Sequence, residues 1–194
     1  MEFDTALGEW FWLDNFEFVG TSEGFEKNDP ATNQTIDGTG AYLGGDTDNV
    51  FSLSDVAHLN AADSSINGGT GVDTLSLTGT GQVLDLATIA GKLESIEIID
   101  ITGTGDNTLN LSLSDVLELG ESSLFTEDET VQMMVKGNAG DVVNLDDLLA
   151  DGTDPGDWAG QGQVTVEGVT YNVFQHSSLD AQLLVQDGVT TNLV

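Results

Sequence analysis

The sequence predicts a mainly β protein, built as a stacked β-solenoid of β-roll-like repeats with short helical turns and C-terminal β-hairpins. Three observations favour this fold: a five-residue pattern occurs four times, a glycine-rich or Asp-rich turn precedes each copy, and apolar residues alternate with small polar ones inside each copy. A repeat of this size cannot bury its own apolar face, so neighbouring repeats are expected to stack. A β-sandwich with turns rich in Gly and Asp is the alternative.

The most complete repeat is the stretch from Gly68 to Ser76, which reads GGTGVDTLS. Glycine tolerates the positive φ angles of tight turns, and Asp73 closes this turn with a carboxylate. Calcium-binding nonapeptide repeats have this pattern, in which a glycine turn leads into a short strand. Ca²⁺ prefers carboxylate and backbone carbonyl oxygens. We therefore predict that Gly69, Gly71 and Asp73 belong to a calcium site.

The four copies of the pattern begin at Asn49, Asp73, Asn107 and Asp141, with spacings of 24, 34 and 34 residues. Each copy reads Asp or Asn, a β-former, an apolar residue, Ser or Asn, and Leu, which is the alternation of a strand with one buried face. Asp and Asn are also good turn formers without a metal, and that interpretation stays open beside the calcium site. The further candidate ligands in these turns are Asp46, Asp48, Asn49, Asp106, Asn107 and Asp141.

Short apolar stretches follow three of the copies, at 54–59, 114–119 and 146–149. A Ser or Asp opens each stretch as a plausible N-cap, which predicts helices of one or two turns. Gly120 and Gly152 stand where a helix should end. Two further β-rich runs, 95–101 and 131–135, predict additional strands between the copies.

The chain divides by composition into three parts. Residues 1–19 are predicted to be an aromatic strand, expected to be the end of a neighbouring domain, and residues 20–43 are predicted to be a linker because they are rich in Gly, Ser, Thr and Asn. Residues 44–194 form the repeat-built domain, with a hairpin cap from about 158. Two hairpins are predicted in this cap, with turns at Glu167-Gly168 and Asp187-Gly188.

Charge and composition exclude several classes of function. The chain has 34 acidic residues, three lysines and a net charge of −31. A nucleic-acid partner is excluded, because binding to phosphates needs basic residues. No apolar run is long enough for membrane insertion. There is no cysteine, which excludes disulfides and thiolate metal sites. Self-repulsion at this charge destabilises the compact state unless cations or salt screen it.

No catalytic motif is recognisable, and we predict that the protein is not an enzyme. His58 and His176 stand in no known motif, and no nucleophile elbow, zinc-protease helix or Walker loop occurs. Trp10 and Trp12 could stack on sugar rings, or they could pack in a core or against a neighbouring domain. The alternative function is therefore a carbohydrate-binding module that uses calcium and these two tryptophans.

The stretch from Gly68 to Ser76, together with TGTGDNTLNL (102–111) and KGNAGDVVNL (136–145), resembles the C-terminal region of giant RTX-type adhesins, which are biofilm-associated surface proteins of Gram-negative bacteria. The resemblance implies type I secretion, calcium-dependent folding outside the cell, and a role in cell adhesion. It implies an extracellular or cell-surface location, with neighbouring domains of the same adhesin, and glycans or a cell surface, as partners.

Overall fold

A computed structural model describes residues 33–194, and within them the chain is mainly β. The predicted mainly β class is confirmed. Most successive strands along the chain lie in different sheets, of which there are three, so each sheet collects strands from distant parts of the sequence. The strands are β1 (Asn33–Ile36), β2 (Ala41–Leu43), β3 (Val50–Leu53), β4 (Ser65–Asn67), β5 (Thr74–Leu77), β6 (Val83–Asp85), β7 (Leu93–Glu94), β8 (Ile98–Asp100), β9 (Thr108–Ser112), β10 (Glu121–Ser122), β11 (Val131–Lys136), β12 (Val142–Asp146), β13 (Trp158–Val166), β14 (Val169–His176), β15 (Ala181–Gln186) and β16 (Thr190–Leu193).

The first sheet has the order β1-β3-β5-β8-β11-β15-β14-β13, with β10 beside β11. Its strands from β1 to β15 pair in parallel, and the register of β3 on β5 and of β5 on β8 advances 24 residues per strand. The second sheet, β16-β12-β9-β6, and the third, β2-β4-β7, are also parallel. Parallel pairing needs a long connection between partners, and here each connection is the path of the chain through the other sheets.

The core is built from inward-facing side chains stacked along these sheets. In the first sheet one such column is Phe51, Leu75, Ile99, Val135 and Val185, and each of these side chains is fully buried. The column follows directly from the alternation in the sequence, because every second residue of a strand points to the same face. Burying a side chain of this size contributes about 1.5–3 kcal/mol.

Short helices connect some of the strands. A 3₁₀ helix at Val56–Leu59 is confirmed in the stretch 54–59, but its N-cap is Asp55, one residue after the predicted Ser54, and the α-helix α1 spans Leu113–Leu119. Ser112 caps α1 in a capping box with Asp115, two residues before the predicted start, and Gly120 ends it. A second 3₁₀ helix at Leu86–Ile89 was not predicted. The helix predicted at 146–149 is wrong, because β12 extends to Asp146 and a turn follows.

The predicted linker and one of the two predicted hairpins differ from the structure. The predicted linker is wrong over 33–43, because β1 and β2 lie there and pair with β3 and β4. The hairpin with its turn at Glu167-Gly168 is confirmed, since β13 and β14 pair antiparallel around it. The hairpin predicted around Asp187-Gly188 is wrong. There β15 belongs to the first sheet and β16 to the second, so this turn is a corner between sheets.

Candidate functional site

The predicted metal-binding turns form two separate stacks of hydrogen-bonded side chains. The copies beginning at Asn49 and Asp73 precede β3 and β5 in the first sheet, whereas those at Asn107 and Asp141 precede β9 and β12 in the second. The four copies are therefore not successive layers of one repeat. The 34-residue step from Asp73 to Asn107 crosses from one sheet to another.

The first stack, which we call the first ladder, consists of Asn49, Asp73 and Glu97. The backbone N–H of Asn49 donates to Oδ1 of Asp73 at 2.6 Å, and the N–H of Asp73 donates to Oε2 of Glu97 at 2.8 Å. Asn49 in turn accepts a hydrogen bond from the N–H of Gly45 at 2.7 Å. Asp73 and Glu97 thus each satisfy a backbone donor just before the neighbouring strand begins, and Asn49 satisfies a donor in the turn that precedes it.

The second ladder consists of Gln82, Asn107 and Asp141 and follows the same rule. The N–H of Gln82 donates to Oδ1 of Asn107 at 2.7 Å, and the N–H of Asn107 donates to Oδ1 of Asp141 at 2.8 Å. The remaining polar atoms are also used. Nδ2 of Asn107 donates to the carbonyl of Ile101, and Oδ2 of Asp141 accepts from the N–H of Asn138.

Two buried polar atoms in the first ladder have no hydrogen-bond partner within residues 33–194 to offset the cost of their burial. Among the described residues, Nδ2 of Asn49 and Oδ2 of Asp73 are buried without a hydrogen-bond partner. Burial raises the pKa of Asp73, against the hydrogen bond from Asn49, and the nearby Asp48 carboxylate raises it further. Burial also raises the pKa of Glu97, and the Asp73 and Glu121 carboxylates add to the effect. The first ladder therefore holds two buried carboxyl groups that bind a proton more tightly than exposed carboxyl groups do.

Sequence reasoning missed two ladder members, Gln82 and Glu97. Glu97 follows Asp73 by 24 residues, the same step that separates Asn49 from Asp73, so the spacing alone could have found it. Glu97 was not recognised because it lies between Ile96 and Ile98, in the run 95–101 that has the sequence of an ordinary strand. Gln82 lies 25 residues before Asn107 and has a longer side chain than the Asp or Asn of the pattern.

The predicted glycines allow the turns to stack closely. Gly69 and Gly71 have φ angles of 97° and 117°. A Cβ at Gly69 would lie 2.2 Å from the carbonyl oxygen of Gly45 in the turn below. At Gly71 a Cβ would approach Asp48, whose Oδ1 accepts a hydrogen bond from the N–H of Val72 at 2.8 Å. These glycines are needed for turn-on-turn packing, with or without a bound ion.

The structure separates the predicted ligands into buried and exposed groups. Asn49, Asp73, Asn107 and Asp141 are fully buried, whereas Asp46, Asp48 and Asp106 are exposed. Across residues 33–194 no group of three or more His, Asp or Glu side chains converges as a metal site. The hydrogen bonds to backbone N–H groups explain the buried Asp and Asn residues without a metal. Calcium binding stays a prediction, and the buried residues do not fit it as well as the exposed ones do.

A groove, here called the outer groove, runs across the outer face of the first sheet and was not predicted. Its volume is about 530 Å³. The strands of the sheet contribute Val50, Thr74, Ile98, Met134, Lys136 and Gln186; the β13–β14 hairpin contributes Val166, Glu167, Val169 and Tyr171; and the turns and loops contribute Asp48, Asn49, Val72, Leu124 and Phe125.

The outer groove is lined in part by a second apolar cluster, which is separate from the main core. Ile98, Met134, Leu184 and Val173 form a row across β8, β11, β15 and β14 on the outward face of the first sheet, and Tyr171 of β14 belongs to the same cluster. Burial raises the pKa of Tyr171, with Glu167 and Asp100 adding to the shift. The β13–β14 hairpin therefore extends the first sheet, and its side chains line the groove together with those of the parallel strands.

A buried polar network fixes the loop that forms one wall of the groove. Gln132 Oε1 accepts from the N–H groups of Phe125 and Thr126, while Asp128 accepts from Gln132 and Gln182. Burial raises the pKa of Asp128, but hydrogen bonds from Thr130, Thr126 and Gln182 outweigh it and lower the pKa overall. Phe125 is thus held in place over the sheet.

The two histidines make structural contacts. Nδ1 of His58 lies 3.3 Å from the carbonyl oxygen of Ile36. His176 is buried edge-on to Trp158, with ring centroids 5.3 Å apart, and its Nε2 lies 3.1 Å from the carbonyl oxygen of Gly156. Neither histidine lines the outer groove. Trp10 and Trp12, the predicted carbohydrate ligands, lie outside the described residues.

No family model matches the chain, and neither the curated proteins nor the solved structures contain a match to it. No helix within residues 33–194 is long and apolar enough to cross a membrane.

Proposed function

We propose that the chain is a non-catalytic, extracellular segment of an RTX-type bacterial adhesin, and that the parallel strands of its three sheets form a β-solenoid. The observation that carries the proposal is the parallel, in-register stacking of β3, β5 and β8 at steps of 24 residues, with glycine turns above one another. A stacked rod of this kind supports a spacing or presenting role, because its length grows with the number of layers.

The strongly negative charge of the chain supports an extracellular location, where calcium ions are abundant. A net charge of −31 with three lysines gives strong self-repulsion, which divalent cations relieve. We propose that calcium binds at the exposed turn carboxylates, with Asp46 and Asp48 at the first ladder and Asp106 at the second, together with backbone carbonyls. Bound calcium would supply positive charge at the turns and couple folding to export from the cell.

The test is a thermal unfolding series on the whole chain with chelator, with millimolar calcium and with magnesium. We expect calcium to raise the unfolding midpoint well above the magnesium value, since ligands bound only by the native state stabilise it. A matched pair of variants sharpens the test. Asp48→Asn should reduce the calcium shift, whereas Asp154→Asn, an exposed Asp away from both ladders, should leave it unchanged.

Equal midpoints in calcium and magnesium would remove the calcium part of the proposal and leave Asp46, Asp48 and Asp106 as turn formers. A glycan array with the same protein separates the adhesin segment from a carbohydrate-binding module. The proposed presenting role predicts no bound glycan. A signal that disappears in Trp12→Ala would instead support the carbohydrate-binding function.

A further inference from the structure

We propose that the open edge of the first sheet, strand β13, pairs with β13 of a second copy of this chain. The pairing is antiparallel and obeys a two-fold axis, so each copy adds one strand to the sheet of the other. Such pairing is independent of calcium binding and goes beyond the proposed adhesin role.

β13 is the longest strand in the described part of the chain, and it lies at an edge of the first sheet. It has nine residues and pairs with β14 on one side, and no strand within residues 33–194 pairs with its other side. The other edge strands are shorter: β1 and β16 have four residues each, and β2, β6 and β7 have two or three. Because an open edge presents backbone N–H and C=O groups, another strand can hydrogen-bond to it.

The composition of β13 favours a second copy as the partner. The strand reads WAGQGQVTV and contains no charged residue and no proline, although 19% of the residues in the chain are charged. Proteins commonly protect an open edge with charged residues or proline, and β13 has neither. Two copies with a net charge of −31 repel each other, so they approach most easily where neither of them carries a charge. Salt screens the repulsion between carboxylates farther from this strand.

A β-bulge confines the regular part of this edge to its second half. The register of β13 on β14 shifts between Gly160 and Gly162, and from Gly162 to Val166 each residue has its partner in sequence. A bulge disrupts the ladder locally and so blunts the edge where it lies. The stretch available for regular pairing with a second copy is therefore Gly162 to Val166.

The two valines of this stretch supply an apolar contact between the copies. Val164 and Val166 pair with Tyr171 and Val169 of β14, and both valines are half-buried against the second apolar cluster. A two-fold axis perpendicular to the sheet keeps the same face of both strands on the same side. Each valine therefore meets a valine or Gly162 of the other copy, since these residues share one face. The contact buries more of the valine side chains and extends the apolar row of the first sheet into the partner.

The experiment is analytical ultracentrifugation of the whole chain over a range of protein concentrations, at low and at high salt. We expect a monomer–dimer equilibrium that salt strengthens, because screening weakens the repulsion between the two acidic copies. Thr165→Glu places a carboxylate on an exposed position of β13, close to its counterpart in the other copy. It should raise the dimer dissociation constant roughly tenfold or more, since like charges on paired strands destabilise the pairing.

The matched control is Thr170→Glu. Thr170 is the partner of Thr165 on β14, so this variant adds the same charge to the same hairpin, one strand away from the open edge. We expect its dissociation constant to stay within about twofold of the original value at high salt, because screening weakens charges that are not in contact. A dimer that both variants weaken equally would overturn the proposal, since general repulsion and not β13 pairing would then explain the loss.

Cross-linking gives a second measurement, because the chain has no cysteine and Thr165→Cys introduces a single thiol per copy. With a short bismaleimide we expect covalent dimers from Thr165→Cys and far fewer from Asp63→Cys, whose thiol is exposed and lies outside the strands. Equal yields from the two variants would contradict pairing at β13. A chain that sediments as a monomer at every protein and salt concentration would also overturn the proposal.

Discussion

In both ladders a side-chain oxygen accepts a hydrogen bond from a backbone N–H of the neighbouring layer. The ladders differ in how many of their buried polar atoms have a hydrogen-bond partner. In the second ladder both oxygens of Asp141 accept N–H donors and the amide of Asn107 donates to a carbonyl. In the first ladder Oδ2 of Asp73 and Nδ2 of Asn49 are buried without partners among the described residues. Because a buried polar atom without a partner costs free energy, we expect an Asp in this turn pattern to stabilise the protein more where the local backbone offers a second donor.

The difference arises from the turns that precede the two ladders. Before Asp141, the N–H of Asn138 points back at Oδ2 at 2.8 Å. Before Asp73, the turn is Gly68-Gly69-Thr70-Gly71, and the donor three residues before the Asp, the N–H of Thr70, donates to the carbonyl oxygen of Gly45 at 2.9 Å instead. The glycine turn allows close stacking on the layer below, and it withdraws the donor that would have satisfied Asp73.

The largest effect is expected at the turn glycines, where the nearest atom to an added Cβ is a backbone atom at Gly44 and a side-chain atom at Gly137. A Cβ at Gly44 would lie 1.8 Å from the carbonyl oxygen of Gly68, a backbone atom that cannot move without separating the layers. A Cβ at Gly137 would meet a Val189 methyl group at 2.6 Å, and a side chain can adjust. We expect Gly44→Ala to lower the free energy of unfolding by about 3 kcal/mol or more and Gly137→Ala by about 1–2 kcal/mol.

Urea unfolding of the two variants measures this difference. Gly160→Ala is a suitable control, because nothing lies within 4 Å of the position that its new methyl group would occupy and its backbone needs no positive φ. A loss at Gly44→Ala no greater than the loss at Gly160→Ala would refute turn-on-turn packing as the reason for the glycines.

Replacing the Asp of each ladder by Asn should change the stability by a smaller amount, and in opposite directions in the two ladders. Asp141→Asn places an NH₂ group against a buried N–H donor and should destabilise the protein by about 1–3 kcal/mol. Asp73→Asn keeps the acceptor for Asn49 and removes a buried carboxyl that has an unpartnered oxygen, so it should stabilise the protein by about 1 kcal/mol at neutral pH. Chemical denaturation of both variants gives the comparison, and shifts of the same sign would show that the ladders are equivalent.

The smallest effect is on the pH dependence of stability. The pKa values of Asp73 and Glu97 are raised in the folded state, so both groups bind protons more tightly there than in the unfolded chain. Their contribution is fully present below the unfolded pKa values and is lost as the pH rises through the folded ones. We therefore expect the unfolding free energy to increase as the pH is lowered from neutral toward the ordinary range of carboxyl pKa values.

The double variant Asp73→Asn/Glu97→Gln tests this assignment, because it removes both titrating groups and should flatten the profile over that range. The general repulsion among the surface carboxylates also weakens as the pH falls, and the double variant retains that part. An unchanged slope would assign the pH dependence to the surface alone.

Local patterns in the sequence predicted the local structure well. The alternation around Leu75 and Leu109 identified buried strands, and both residues are fully buried. The Glu167-Gly168 turn identified its hairpin, because a two-residue turn fixes the register of its own strands. The Asp187-Gly188 turn has a similar sequence but joins two sheets, since β15 and β16 find their partners in β11 and β12.

The sequence by itself determined the strands, the glycine turns and the need to bury one face of each repeat, because these depend on residues a few positions apart. Only the tertiary structure decided which Asp and Asn residues share a ladder, which Asp lacks a donor, and where the outer groove opens. Those features join residues separated by 24 to 50 positions through parallel pairing, such as Asn49 with Asp73 and Val131 with Ala181. The energy of such a contact depends on the surrounding layers, which no local pattern encodes.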